Sequence, residues 1–101
     1  MDTNSQKAKM AKCVNAVLEY FDLSKNQLFA HRRYRNIVYA RHILMCFLYD
    51  VGITKVEIGR ICGGLDHATV CKGMERIKGL CDVYPEVKND MEVIRKLIDE
   101  R

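Results

Sequence analysis

The 101-residue chain carries 17 Lys and Arg against 13 Asp and Glu, a formal net charge of +4, with 49% hydrophobic and 30% charged residues. That balance belongs to a globular protein, and the length allows one modest core with no room for a second, catalytic domain. No apolar run nears the roughly 20 residues that a membrane span needs, and residues 1–6 lack the apolar stretch of a secretory signal. The five cysteines (Cys13, Cys46, Cys62, Cys71, Cys81) are odd in number and never form C-x-x-C. They point to free thiols in a reducing, cytoplasmic setting.

Taken in chain order, the pattern is helical throughout. Val14, Val17, Leu18 and Phe21 recur at helical spacing and predict a first helix over residues 6–21. Ser24 followed by Gln27 is a capping box that opens a short helix carrying Leu28 and Phe29. A basic loop follows. Ile37, Ala40, Leu44, Phe47, Leu48 and Val51 mark one face of a long helix, which Gly52 can close. Thr54 and Glu57 form a second box, before a short helix with Ile58 and Ile61 facing inward. Gly63-Gly64 breaks that helix, and Asp66 caps the next, whose core stripe is Val70, Met74, Ile77 and Cys81. Pro85 suits the first position of a last helix with Val87, Met91, Ile94 and Ile98 on its apolar face. No window alternates with the period of a strand. The expected fold is one all-α domain of about six helices, spanning residues 1–101.

The charge is concentrated. Residues 23–49 hold Lys25, Arg32, Arg33, Arg35 and Arg41 and no acid, a local +5, whereas the segments on either side nearly cancel. Three of those arginines lie within residues 31–35, a density that fits an anionic partner better than a solvated loop. Arginine's planar fork suits phosphates and base edges alike.

Two helices over residues 55–62 and 66–81, joined by a short glycine-containing break, fit a helix-turn-helix. In that motif the start of the second helix reaches base edges in the major groove. Here it offers Asp66, His67, Ala68 and Thr69, with the core stripe beginning only at Val70. Asp66 can accept from cytosine N4, His67 can hydrogen-bond a base edge, and the Ala68 methyl can pack on a thymine methyl. The arginine loop can enter the neighbouring minor groove, where A·T tracts concentrate negative potential. An ordinary capped helical hairpin is the competing account of the geometry alone.

Two other patterns carry little weight. Gly59 to Gly64 spell G-x-x-x-x-G, but Leu65-Asp66 follow where a phosphate-binding loop needs Lys and Ser or Thr. Cys62, His67, Cys71 and Cys81 match no common zinc spacing, and buried thiols account for them better. Neither a metal nor any other cofactor is expected.

Residues 63–70, Gly-Gly-Leu-Asp-His-Ala-Thr-Val, preceded by Glu57-Ile58-Gly59, resemble the signature of the C-terminal DNA-binding domain of the bacterial replication initiator DnaA, GGRDHSTV or GGRDHTTV. Residues 20–24 and 32–41 match the same domain in order and spacing, so the resemblance covers residues 14–98. It implies a TrpR/DnaA-like helix-turn-helix fold. It also implies binding to double-stranded DNA at an asymmetric site related to TTATNCACA, as a monomer, in replication initiation, its regulation, or transcription. Arg33 falls on the position that reads the minor groove, and Asp66, His67 and Ala68 on those that read the major groove. Arg35, Arg41, His42, Thr69, Lys72 and Arg76 fall on or beside backbone-contacting positions, with Arg32 in the same loop. Lys55 and Val56 stand where the family has a Leu-Pro pair that approaches a phosphate.

The departures are Leu65 for the family's Arg, Ala68 for Ser or Thr, and Lys72 for His. The resemblance includes no ATPase module, so neither ATP binding nor enzymatic activity is expected. A nucleoid-associated location follows, with other replication proteins as further partners and no membrane contact. The alternative is a protein-interaction module that has lost DNA binding and docks a partner through an exposed Leu65. Salt separates the two, because phosphate contacts lose affinity steeply with ionic strength.

Overall fold

The computed structural model describes residues 3–30 and 34–100, so His31, Arg32 and Arg33 lie outside it. The described residues form six helices and no strand: α1 (Thr3–Phe21), α2 (Lys25–Phe29), α3 (Arg35–Asp50), α4 (Lys55–Ile61), α5 (His67–Val83) and α6 (Pro85–Asp99). The all-α reading of the sequence is correct, and the element order matches. The ends differ by a few residues, as with α1, which begins at Thr3 instead of residue 6.

Local chemistry sets the boundaries. Ser24 forms the full reciprocal capping box with Gln27, Thr54 Oγ1 accepts from the Glu57 N–H, and Asp66 accepts from the Thr69 N–H. Three helices end in the same way. The Ile53 N–H donates to the Leu48 carbonyl and Gly52 to Tyr49, while Gly64 donates to Gly59 and Gly63 to Arg60. These are paired bonds that close a helix through a left-handed residue. Gly52 and Gly63 supply that conformation, both at φ 98°. At the end of α1 a non-glycine, Asp22 at φ 54°, takes the same place.

Helix α3 runs through the centre. It buries Ile37, Ala40, Ile43, Leu44, Met45, Phe47 and Leu48, together with Arg41. Around it pack α1 through Cys13, Val14, Ala16 and Val17, α2 through Leu28, α4 through Ile58, and α5 through Val70, Met74 and Ile77. Each fully buried aliphatic side chain contributes about 1.5–3 kcal/mol relative to exposure. Helix α6 closes the other side, resting on α1 and α5 and burying Ile94.

A polar clamp fixes α6 that no sequence pattern revealed. The Tyr20 hydroxyl donates to Oδ1 of Asp90 and the Tyr39 hydroxyl to Oδ2, the latter at 2.7 Å. One carboxylate thereby joins α1, α3 and α6. Its hydrogen bond, with burial adding to it, pushes the Tyr20 phenol up to about 12. Phe21 stands edge-on to both tyrosine rings at 5.0 and 5.7 Å.

All five cysteines are free. Cys13 and Cys62 are buried, and desolvation pushes both thiols up to about 11, which makes them inert packing. Among the described residues no group of three His, Cys, Asp or Glu could hold a metal. None of their helices is long and apolar enough to cross a membrane.

Candidate nucleic-acid interface

The turn between α4 and α5 is built on Gly59. Its carbonyl accepts from both the Gly64 and Leu65 N–H groups, at 2.9 and 2.8 Å, and this folds the chain back onto α4. A Cβ on Gly59 would strike the Leu65 carbonyl, so only glycine fits. The G-x-x-x-x-G spelling therefore marks a helix-to-helix turn rather than a phosphate loop. Leu65 is half-buried and packs against the core, so it is not the exposed docking residue that the interaction-module alternative required.

Helix α5 leaves this turn with Asp66, His67, Ala68 and Thr69 all exposed, and buries its first side chain at Val70. The division into an open first turn and a buried stripe is the one expected from the sequence. Asp66 is held in place: Oδ1 accepts from the Thr69 N–H at 2.7 Å. The hydrogen bonding to Thr69 lowers its carboxyl below the usual range, with Lys72 and His67 adding to the effect. Nδ1 of His67 lies 3.7 Å from Sγ of Cys71.

A glycine also sets how closely α5 sits on α3. A Cβ at Gly73 would come within 2.7 Å of His42 Cδ2 and 2.9 Å of Met45 Sδ. A mid-helix glycine costs about 1 kcal/mol relative to alanine, and here it permits the close crossing. Along this contact runs an open groove of about 530 Å³ lined by Arg35, Val38, Tyr39, His42, Arg76, Ile77 and Leu80. Three of the residues expected at the DNA backbone, Arg35, His42 and Arg76, thus meet in one cationic groove beside α5. Burial lowers the His42 pKa, with Arg76 and Arg41 lowering it further, which favours the neutral ring.

Other expected contacts are placed differently. Arg41 is 9% exposed and turns inward: Nε donates to the Leu28 carbonyl at 3.0 Å, and a terminal nitrogen to the Ala30 carbonyl at 2.6 Å. Its guanidinium satisfies the carbonyls that the end of α2 leaves unpaired. Arg41 thereby ties α2 to α3. Lys55 lies with Nζ over the Tyr49 ring, 5.4 Å from its centroid, next to an exposed Val56. Thr69, Lys72 and Arg76 are exposed on α5, and Arg35 is exposed at the start of α3. Arg32 and Arg33 fall outside the described residues.

Residues 10–77 match the family of the bacterial dnaA protein helix-turn-helix. The chain belongs to that family. Among curated relatives it is 32% identical, over 87% of its length, to the chromosomal replication initiator protein DnaA of Bacteroides fragilis (strain YCH46). It is 31% identical over 96% of its length to the DnaA of Bartonella quintana (strain Toulouse), and 33% over 84% to that of Mesorhizobium japonicum. It spans only about a fifth of those relatives, 19%, 20% and 18% respectively. Family membership accounts for the helix-turn-helix at α4 and α5. The sequence pattern singles out neither Gly73 nor the inward turn of Arg41. Only the glycine left a trace, as a poor helix former inside an otherwise good helix.

Proposed function

We propose that this DnaA-family domain is a non-enzymatic binding module that recognises double-stranded DNA by sequence, with the start of α5 in the major groove. The observation that carries this reading is the exposed run Asp66–Thr69, set on a helix whose next residue, Val70, is fully buried. Those side chains have no packing role, and α5 is braced against α3 closely enough to present them rigidly. Asp66, His67 and Ala68 supply the base contacts. Thr69, Lys72, Arg76, Arg35 and His42 line the path of a phosphate backbone, with Lys55 at its margin, and Arg32 is assigned to the backbone on its place in the sequence alone. Arg33 is assigned to the adjacent minor groove on its place in the arginine-rich loop.

The named relatives are replication initiators, so the site sought is related to a DnaA box and the role is initiation, its regulation, or transcription at such boxes. With a single reading helix the domain binds as a monomer on an asymmetric site, at the bacterial nucleoid, without ATP and alongside other replication proteins. Selection from a random duplex library at moderate salt tests the reading directly. Enrichment of one asymmetric site, with affinity falling by about 0.9 log units per log unit of salt for each phosphate contact, is the expected result. A library that emerges unselected sinks it.

A further inference from the structure

The His67–Cys71 contact has no part in the packing of α5, yet it touches the residue assigned to a base. The two side chains lie one turn apart on the same face, with Sγ 3.7 Å from Nδ1. His67 is exposed and Cys71 half-buried. With Nδ1 engaged by the sulfur, Nε2 is the nitrogen left for a ligand. A neutral imidazole carries one donor and one acceptor nitrogen, and the partner of one decides the character of the other. Thiol sulfur is a weak acceptor, whereas a bare ring nitrogen is a good one, so the favourable arrangement has the thiol hydrogen directed at Nδ1.

We infer that Cys71 is a positioning residue that holds His67 with its hydrogen on Nε2, making this point of α5 a hydrogen-bond donor that selects against cytosine. In the major groove guanine, adenine and thymine each present an acceptor, while cytosine presents only its N4 donor. The inference rests on the reading of α5 as the base-reading helix. The capping of Thr69 by Asp66 supports it, because the Asp66 and His67 side chains are then both oriented by atoms of α5 itself before any ligand arrives. A donor whose direction is already fixed loses less freedom on binding than a freely rotating one.

Two measurements on the intact chain test this, one without DNA. Nitrogen NMR of the His67 ring in the free protein at about pH 8, above the ordinary histidine range, is expected to show Nε2 protonated, Nδ1 bare and one side-chain rotamer. Cys71→Ala releases the rotamer and Cys71→Ser retains it. In duplex binding, Cys71→Ala lowers discrimination against cytosine at one position by about fivefold, the worth of one neutral hydrogen bond, while affinity for unrelated duplex is unchanged. Cys71→Ser keeps the discrimination. A protonated Nδ1 in the wild type overturns the inference, as does a Cys71→Ala variant with unaltered discrimination or with all sequences weakened alike. A wild type with no preference among duplexes removes the base-reading half, whereas the ring assignment stands or falls by the free-protein spectrum.

Discussion

Helices α3 and α5 are nearly equal in length, 16 and 17 residues, and cross in close contact, yet they use their surfaces in opposite ways. Helix α3 buries eight residues, including a charged arginine, and touches α1, α2, α4 and α5. Helix α5 buries four and leaves its entire first turn to solvent. The difference shows how a small domain separates support from recognition. One helix takes most of the packing, and a second borrows its rigidity through a glycine contact and a tight turn. Substitutions at the supporting side should then act on stability, and those on the open side on binding alone.

The largest effect is expected at the turn that joins support to reader. Gly59→Ala places a Cβ against the backbone carbonyl of Leu65, which cannot move without opening the turn. A loss of about 3 kcal/mol in denaturant unfolding is expected. A loss under about 0.5 kcal/mol would show that the turn adapts.

Arg41→Met comes next. It keeps the bulk of the stem but strips two hydrogen bonds from the carbonyls of Leu28 and Ala30, for an expected loss of about 2 kcal/mol. Because Arg41 faces inward, the salt slope of DNA binding should stay as in the wild type. A slope reduced by about 0.9 would return Arg41 to the phosphate backbone.

On the open side the comparison predicts binding defects without unfolding. His67→Ala should cost about 1–3 kcal/mol of binding at one base position, and Arg76→Ala should weaken all duplexes alike. Both should leave the melting temperature close to wild type, which thermal denaturation checks. An unfolding defect in either would put that residue on the supporting side.

The smallest effect lies at the border between the two helices. The His42 pKa is lowered in the folded state, chiefly by burial, so the unfolded chain binds the proton more readily. Stability contributed by the neutral ring is complete above the unfolded value near 6.5 and declines as pH falls below it. His42→Gln should flatten that part of a stability-versus-pH curve. An unchanged curve would mean that the ring is not desolvated on folding.

Much of this architecture is legible in the sequence, where the causes are local. The cap at Ser24, the caps at Thr54 and Asp66, and the glycines at 52 and 63 act over three to six residues, so their spelling is their geometry. The exposed run from Asp66 to Thr69 is also local, because helical periodicity shows where the apolar stripe begins. The inward contacts of Arg41 are not legible there, because its partners, Leu28 and Ala30, lie more than ten residues away and offer carbonyls, which every residue has. The Tyr20–Asp90–Tyr39 clamp spans up to 70 positions and follows no period.

The chain's 101 residues and net charge of +4 acquire their meaning from this division. By itself the sequence determined six helices, their caps, a cationic stretch and a helix-turn-helix signature, since all of these depend on short-range backbone chemistry and side-chain period. Only the tertiary structure decided which cations remain available. It sent Arg41 inward to the end of α2 and gathered Arg35 and Arg76 beside His42 along one groove, because charge is placed by which helices pack together and how closely a glycine lets them approach.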